Sequence, residues 1–135
     1  MAEAYITVSD IKHDHIKKFN ATTLQDYVDE SNDWFEAYIP TIIDNDDYGV
    51  ADVVLPIKPM VRNFILYYLY MRFAEDRVGS EGTATIGDNN LYTTIYSVSE
   101  SSYNMIKARV TQNIILQTNV DRKTSSVNWS TIVRS

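Results

Sequence analysis

The residues best suited to metal chemistry are His13, Asp14 and His15, which follow Asp10 in the segment DIKHDHIKKF. Imidazole nitrogens and carboxylate oxygens are common zinc ligands. Alternate residues share a face only on a strand, because on a helix residues two apart diverge by about 200°. The segment is predicted to be a brief helix capped by Ser9 or Asp10, and the chain has two histidines in all. We therefore expect solvated helix residues here and no metal site.

A second candidate is the loop Asp44-Asn45-Asp46-Asp47-Tyr48-Gly49. A calcium-binding EF-hand loop needs oxygen ligands at its first, third and fifth positions, glycine at the sixth and a bidentate glutamate at the twelfth. Tyr48 occupies the fifth position and Leu55 the twelfth, so the main anionic ligand is missing. The residue types are instead those of a turn, and a turn is what we predict.

No pattern for covalent or phosphate chemistry is present in the sequence. It has no G-x-S-x-G, no glycine-rich phosphate loop, no H-E-x-x-H and no cysteine, so disulfides and thiolate metal sites are excluded. Five carboxylates recur at one-turn spacings, as in di-metal bundles, but those bundles also need Glu-x-x-His motifs on facing helices. These carboxylates are Asp26, Asp29, Glu30, Asp33 and Glu36. The sequence predicts no enzymatic activity, no cofactor and no metal.

The central element predicted from the sequence is a helix from Pro59 to Gly79. Proline suits a first helical turn, and glycine suits the position after a helix end. Apolar residues occupy almost every face between them, so we expect this helix to be buried on nearly all sides. It is not a membrane span, because Arg62 and Arg72 bracket only nine residues and a bilayer needs about twenty apolar ones.

An amphipathic helix is predicted before the central one, over residues 24–39, with Thr22 or Thr23 as its cap. Its carboxylates fall on the face opposite the apolar residues, which gives an acidic outer surface. Pro40 is expected to end or kink this helix, or the helix continues for one more turn. A β-prone lead-in over residues 5–9 precedes it, and residues 50–59 form an extended or single-turn connector.

After Gly79 the sequence permits two structures. Residues 83–96 are β-branched enough for a short hairpin turning at GDNN, but a helical period runs from Tyr92 to Ile114, with Asp88 as a possible cap. We favour the helix, with a possible break between Ser97 and Ser101. From Gln117 the period stops, and we predict an extended C-terminal tail.

The composition indicates one mainly α domain, a small helical bundle around a buried central helix, over residues 1–116, followed by the tail over 117–135. Net charge is −6: residues 1–52 carry −9 and residues 53–135 carry +3. A basic nucleic-acid footprint is absent. No signal peptide is recognisable, and we expect a cytoplasmic protein or a particle assembled there.

Ten tyrosines and a tail tryptophan point to protein contacts. Tyr67, Tyr68 and Tyr70 fit the core and an interface equally well. Trp129 either folds back onto the domain or anchors the tail in a neighbouring chain, and we favour the neighbour.

This arrangement resembles the small head–tail connector proteins of tailed bacteriophages, also called adaptor or head-completion proteins. The features that carry the resemblance are YITVSDIK, the pair Trp34-Phe35 running to Tyr38-Ile39, the buried central helix, a late helix with Tyr92, Tyr96 and Tyr103, and the C-terminal tail. It covers residues 5–116 in arrangement.

The resemblance implies a structural virion protein in the neck, forming a ring of usually twelve copies beneath the portal. DNA passes through such a ring without sequence-specific binding, and an acidic lumen does not hold phosphates. The expected partners are the portal protein, further copies of the chain and other neck or tail proteins, with no membrane. Trp129, Ile132 and Val133 would bind the portal or a neighbouring subunit, and Asp26, Asp29, Asp33 and Glu36 are candidates to face the channel.

Two alternatives remain open at this point. One is a stopper or tail-completion neck protein, which would contain more β-structure. The other is an acidic binding module, monomeric or dimeric, that inhibits a basic partner by mimicking nucleic acid. A ring on a portal distinguishes the connector from the binding module, because the latter has no ring symmetry.

Overall fold

The computed structural model describes residues 5–81 and 86–118, and these are mainly helical, as predicted. Four α-helices follow one another: α1 Ala21–Ile42, α2 Pro59–Glu81, α3 Ile86–Lys107 and α4 Gln112–Leu116. Three 3-10 turns lie before α1 and between α1 and α2, at Val8–Asp10, Ile16–Lys18 and Val50–Asp52. The described residues contain no strand, so the β-prone lead-in at residues 5–9 does not form one.

Helix α2 is the central element, and it packs against both α1 and α3. It begins at Pro59 as predicted, but it continues through Gly79 to Glu81, so Gly79 does not end it. Phe64, Ile65 and Phe73 are fully buried. The apolar run of the sequence therefore reflects contact with neighbours on more than one side.

Helix α1 begins earlier than predicted, and at its other end it follows the alternative in which the helix continues past Pro40. Its cap is Asn20, whose side-chain oxygen accepts the Thr23 N–H at 2.8 Å, so the prediction of a threonine cap was wrong. Asparagine caps at least as well as threonine, and placing Asn20 outside the helix lets Thr22 enter it. The helix also continues past Pro40 to Ile42. Proline there removes one donor without preventing a final turn that ends in the bond from Ile43 N–H to the Ile39 carbonyl.

The predicted brief helix at residues 10–19 is replaced by two separate 3-10 turns. Ile6, Ile11 and Ile16 are all buried, and they are spaced five residues apart. Five residues rotate a helix by about 140° beyond one full turn, so a continuous helix could not turn all three inward. The segment instead bends between the turns, and Asp10 stabilises the first by accepting the Thr7 N–H at 2.8 Å.

Helix α3 resolves the ambiguity of the second half. Residues 86–96 are helical, so they do not form a hairpin; residues 82–85 lie outside the described part of the chain. The helix starts at Ile86, which places Asp88 inside it, and it continues without a break through Ser97 and Ser101. It ends at Lys107, so the predicted single helix to Ile114 is interrupted before α4. Its buried face, which includes Tyr92 and Ile95, lies on the core. Helix packing there outweighs the β-preference of the intervening threonines.

Candidate assembly surfaces

The two histidines are half-buried against aromatic rings, so the expectation of solvated side chains was wrong for them. The His15 backbone N–H donates to His13 Nδ1 at 3.2 Å. The His13 ring meets the edge of Tyr70 at a centroid distance of 5.5 Å, and His15 Nε2 lies 3.3 Å from the Tyr92 hydroxyl. Burial lowers the pKa of His13, and the neighbouring His15 lowers it further. Across residues 5–81 and 86–118, no group of three or more His, Cys, Asp or Glu is suited to a metal. The pair joins the N-terminal segment to α2 and α3.

The Asp44–Gly49 loop forms the predicted turn. Asn45 organises it, because its side-chain oxygen accepts the Asp47 N–H at 2.9 Å and its carbonyl accepts the Tyr48 N–H at 3.1 Å. The Gly49 N–H donates to Asp52 Oδ2 at 2.8 Å. These are the local bonds by which Asn and Asp stabilise turns.

Helix α1 has an acidic surface on its exposed side, as the amphipathic pattern predicted. Asp26, Asp29 and Asp33 are exposed, whereas Glu36 is half-buried. Asp29 accepts a hydrogen bond from the Gln25 side chain at 2.9 Å. Three of the four candidate channel residues therefore share an exposed face; their position in a channel remains a prediction.

Glu30 does not belong to that outer surface, although the sequence grouped it with the other carboxylates. Its carboxylate accepts the Arg72 Nε–H at 2.6 Å, across the contact between α1 and α2. Arg72 also binds Glu75 at 2.9 Å and lies 3.6 Å from Asp76. These hydrogen bonds raise the pKa of Arg72. The arrangement links two helices, and no signal in the sequence gives the register that brings Glu30 and Arg72 together.

The tyrosines mostly close the contacts between helices. Tyr70 is 8% exposed and belongs to the core, while Tyr67 and Tyr68 are half-buried. Tyr68 stacks on Trp34 with a 4.0 Å centroid distance and a 3° angle between the rings. Tyr103 stacks on Phe64 at 4.7 Å, and burial raises its pKa to about 12.

The outer face of α3 is exposed and nearly uncharged. Between residues 93 and 105 Glu100 is its only exposed charged side chain. Val98 and Met105 lie two turns apart on this face and are 60% and 75% exposed. The other exposed residues in this stretch are Thr93, Thr94, Ser97, Ser101 and Asn104. This face therefore presents two large apolar side chains and a single exposed charge, that of Glu100.

A groove of about 400 Å³ continues this face toward α2. Thr93 and Ser97 line it from α3, and Glu75 and Val78 line it from α2. Because Thr93 and Ser97 also belong to the exposed face of α3, the groove and that face form one surface. We call this combined surface the α3 face.

A second cleft, also of about 400 Å³, separates the end of α1 from α4, and we call it the α4 cleft. Tyr38, Thr41 and Ile42 line one side. The other residues that line it are Asp44, Val110, Thr111, Gln112 and Asn113. The Asp44 N–H donates to Gln112 Oε1 at 3.1 Å, which holds the acidic loop beside α4.

The predicted tail begins directly after α4. The Gln117 side chain donates to the carbonyls of Val54 and Pro56 at 3.2 and 2.8 Å, so this residue belongs to the folded domain. Trp129, Ile132 and Val133 lie outside the described residues, and their assignment to partner binding remains a prediction.

In comparisons with protein-family models, with curated proteins and with solved structures, the chain has no match. Within the described ranges, none of the helices is both long and apolar enough to span a bilayer.

Proposed function

We propose that this chain is a structural, non-enzymatic protein of a tailed-bacteriophage virion, a head–tail connector that assembles as a ring beneath the portal. It is built in the host cytoplasm and then resides in the neck of the particle. Its partners are the portal protein, further copies of itself, usually making twelve, and other neck or tail proteins. DNA passes through the ring without sequence-specific contacts, and the role needs no cofactor.

The observation that carries the proposal is the α3 face. A surface helix of a monomer normally presents charged residues outward, whereas α3 presents Val98 and Met105 among small polar residues. The copies of a ring must contact one another, and a helix face with few charged side chains can be desolvated at less cost than a highly charged one. The α3 face is therefore assigned to contacts between copies.

The acidic face of α1 supports the second half of the proposal. Asp26, Asp29 and Asp33 are exposed on one side of this helix. Such a surface repels phosphates, so duplex DNA can move past it. The predominance of helices in the described chain also favours an adaptor over a stopper, which would contain more β-structure.

The same carboxylates favour one competing function, an acidic binding module that occupies the nucleic-acid site of a basic partner. Such a module acts as a monomer or dimer. The binding-module function does not account for the exposed apolar side chains of the α3 face, and for this reason we favour the connector.

The decisive experiment mixes the purified chain with portal rings from the same phage genome and measures the mass of the complex by size-exclusion chromatography with light scattering. We expect about one added chain per portal subunit. A variant ending at Thr118 should add no mass, since it lacks the predicted docking residues but keeps the Gln117 contacts with Val54 and Pro56.

A second variant tests the α3 face. Val98→Gln with Met105→Gln leaves the charge unchanged and does not lower helix propensity, but it removes both exposed apolar side chains. We expect incomplete rings from this variant and complete rings from the control Tyr48→Gln, which changes another exposed apolar side chain, in the Asp44–Gly49 loop. Absence of added mass with the unmodified chain would reject the connector and favour the acidic module.

A further inference from the structure

The described chain ends at the rim of the α4 cleft. The Thr118 N–H donates to the Asn113 carbonyl at 3.2 Å, and Asn113 lines the cleft. Gln117 has a left-handed backbone, with φ of 52°, which reverses the chain at the end of α4. Thr118, the last described residue, therefore lies beside the cleft.

The charges of the cleft and of the following segment are opposite. Asp44, Asp46 and Asp47 are exposed in the loop that borders the cleft, and Asp44 is held there by Gln112. Residues 119–135 contain Arg122, Lys123 and Arg134 against one acid, Asp121, for a net charge of +2. Opposite charges this close to the attachment point attract the segment toward the cleft.

The α4 cleft and residues 119–135 also have complementary apolar groups. Tyr38 and Ile42 provide an aromatic and an aliphatic wall for the cleft. Trp129 is the one aromatic residue after Thr118, and it lies eleven residues along the chain. Eleven extended residues span up to about 36 Å, and they start from Thr118 at the rim of the cleft. The segment is long enough to return to the cleft.

From these observations we propose that residues 119–135 fold back over the α4 cleft of their own molecule, with Arg122 and Lys123 against the acidic loop and Trp129 between Tyr38 and Ile42. A tethered segment meets its own cleft at an effective concentration near the millimolar range, so the same chain is favoured over a second copy. The proposal goes beyond the connector function: it makes the tail unavailable to partners until they displace it from the cleft.

Disulfide trapping tests this directly, because the natural chain has no cysteine and every disulfide must come from an introduced pair. The test variant is full-length Thr41→Cys with Asn128→Cys, which places one thiol on the cleft wall and one beside Trp129. The control is Thr94→Cys with Asn128→Cys, since Thr94 is equally exposed but lies on α3. Non-reducing electrophoresis of the isolated protein separates monomers with an internal disulfide from linked dimers.

We expect most of the Thr41/Asn128 protein to form an internal disulfide, with a yield several-fold above that of the control. Equal yields from the two pairs would overturn the proposal. Predominantly linked dimers would also overturn it, by assigning the segment to the cleft of a second copy. No portal is present, so the outcome is independent of the connector function.

A charge exchange tests the electrostatic part in the same Thr41/Asn128 background. Asp46→Lys with Asp47→Lys should slow disulfide formation several-fold at low salt, and Arg122→Glu with Lys123→Glu should do the same. Combining all four substitutions restores the opposite charges and should restore the rate. Failure of the combination to recover would show that these charges do not pair.

Discussion

Asn32 is the residue on which the N-terminal segment depends. Its buried side chain accepts the N–H groups of Tyr5 and Ile6 at 3.1 and 3.0 Å and donates to the Ile6 carbonyl at 3.1 Å. Leaving a buried polar group without its hydrogen-bond partner lowers the free energy of unfolding by about 1–3 kcal/mol. Because one side chain satisfies three backbone groups here, its contribution to stability exceeds that of an ordinary surface asparagine.

We predict that Asn32→Ala lowers the free energy of unfolding by about 3 kcal/mol, since three backbone groups lose their partner. Urea denaturation measures this change. The control is Asn63→Ala on the exposed side of α2, which should shift stability by no more than about 0.5 kcal/mol. Equal effects of the two substitutions would show that the N-terminal segment is not held by Asn32.

Tyr103 gives the fold a sensitivity to alkaline pH. Burial raises its pKa to about 12, with further contributions from Tyr38 and Tyr68. In the unfolded chain a tyrosine ionises near pH 10. Between about pH 10 and 12 the unfolded state therefore binds fewer protons than the folded state, so stability is complete below this window and falls as pH rises through it.

We predict that Tyr103→Phe makes this alkaline loss of stability shallower. Tyr27, whose pKa is also raised to about 12 by burial and by its hydrogen bond to Asp76, still contributes in the variant. Urea denaturation repeated across the window measures the slope for both proteins. A slope unchanged by the substitution would show that the Tyr103 hydroxyl is not buried in solution.

Helix α1 is capped by Asn20, whereas the sequence predicted a threonine cap. We predict that Asn20→Ala costs about 1 kcal/mol of stability, because the Thr23 N–H then loses its acceptor. Thr22→Ala, at the exposed one of the two threonines predicted as the cap, should cost less than about 0.5 kcal/mol. Thermal unfolding of both variants measures the two losses of stability. A larger loss in Thr22→Ala than in Asn20→Ala would support the threonine cap.

Elements with strong local signals were predictable. Pro59 and the apolar run that follows it predicted the start of α2 correctly. The helical period from Tyr92 predicted correctly that α3 is a helix. The helix predicted for residues 10–19 was wrong. The buried isoleucines of the N-terminal segment follow a five-residue spacing, and only the packed core explains that spacing. The predicted end of α2 at Gly79 was wrong, because the helix continues to Glu81 although glycine favours a helix end by local rules. At Pro40 the structure follows the second of the two predicted alternatives, in which the helix continues past the proline.

The candidate surfaces were predictable in part for the same reason. Outward acids such as Asp29 follow from the amphipathic period of α1 alone. The link between Glu30 and Arg72, and the α4 cleft, depend on how helices distant in sequence are placed, which no local pattern encodes. The exposed face of α3 was detectable in principle, since Val98 and Met105 lie off the buried stripe of that helix.

At the scale of the whole molecule, charge is separated between surfaces, and this separation predicts how a ring would treat DNA. Asp29→Lys with Asp33→Lys reverses part of the acidic face of α1 and raises the net charge of −6 by four, to −2. If that face lines the channel, portal-bound rings of this variant should bind duplex DNA at about 50 mM salt and release it near 200 mM, because phosphate contacts depend steeply on salt. Asp14→Lys with Asp52→Lys changes the net charge equally at exposed sites outside α1 and outside the α3 face, and its rings should bind DNA no better than the unmodified ring. Fluorescence anisotropy measures both, and equal binding by the two variants would place the acidic face of α1 outside the channel.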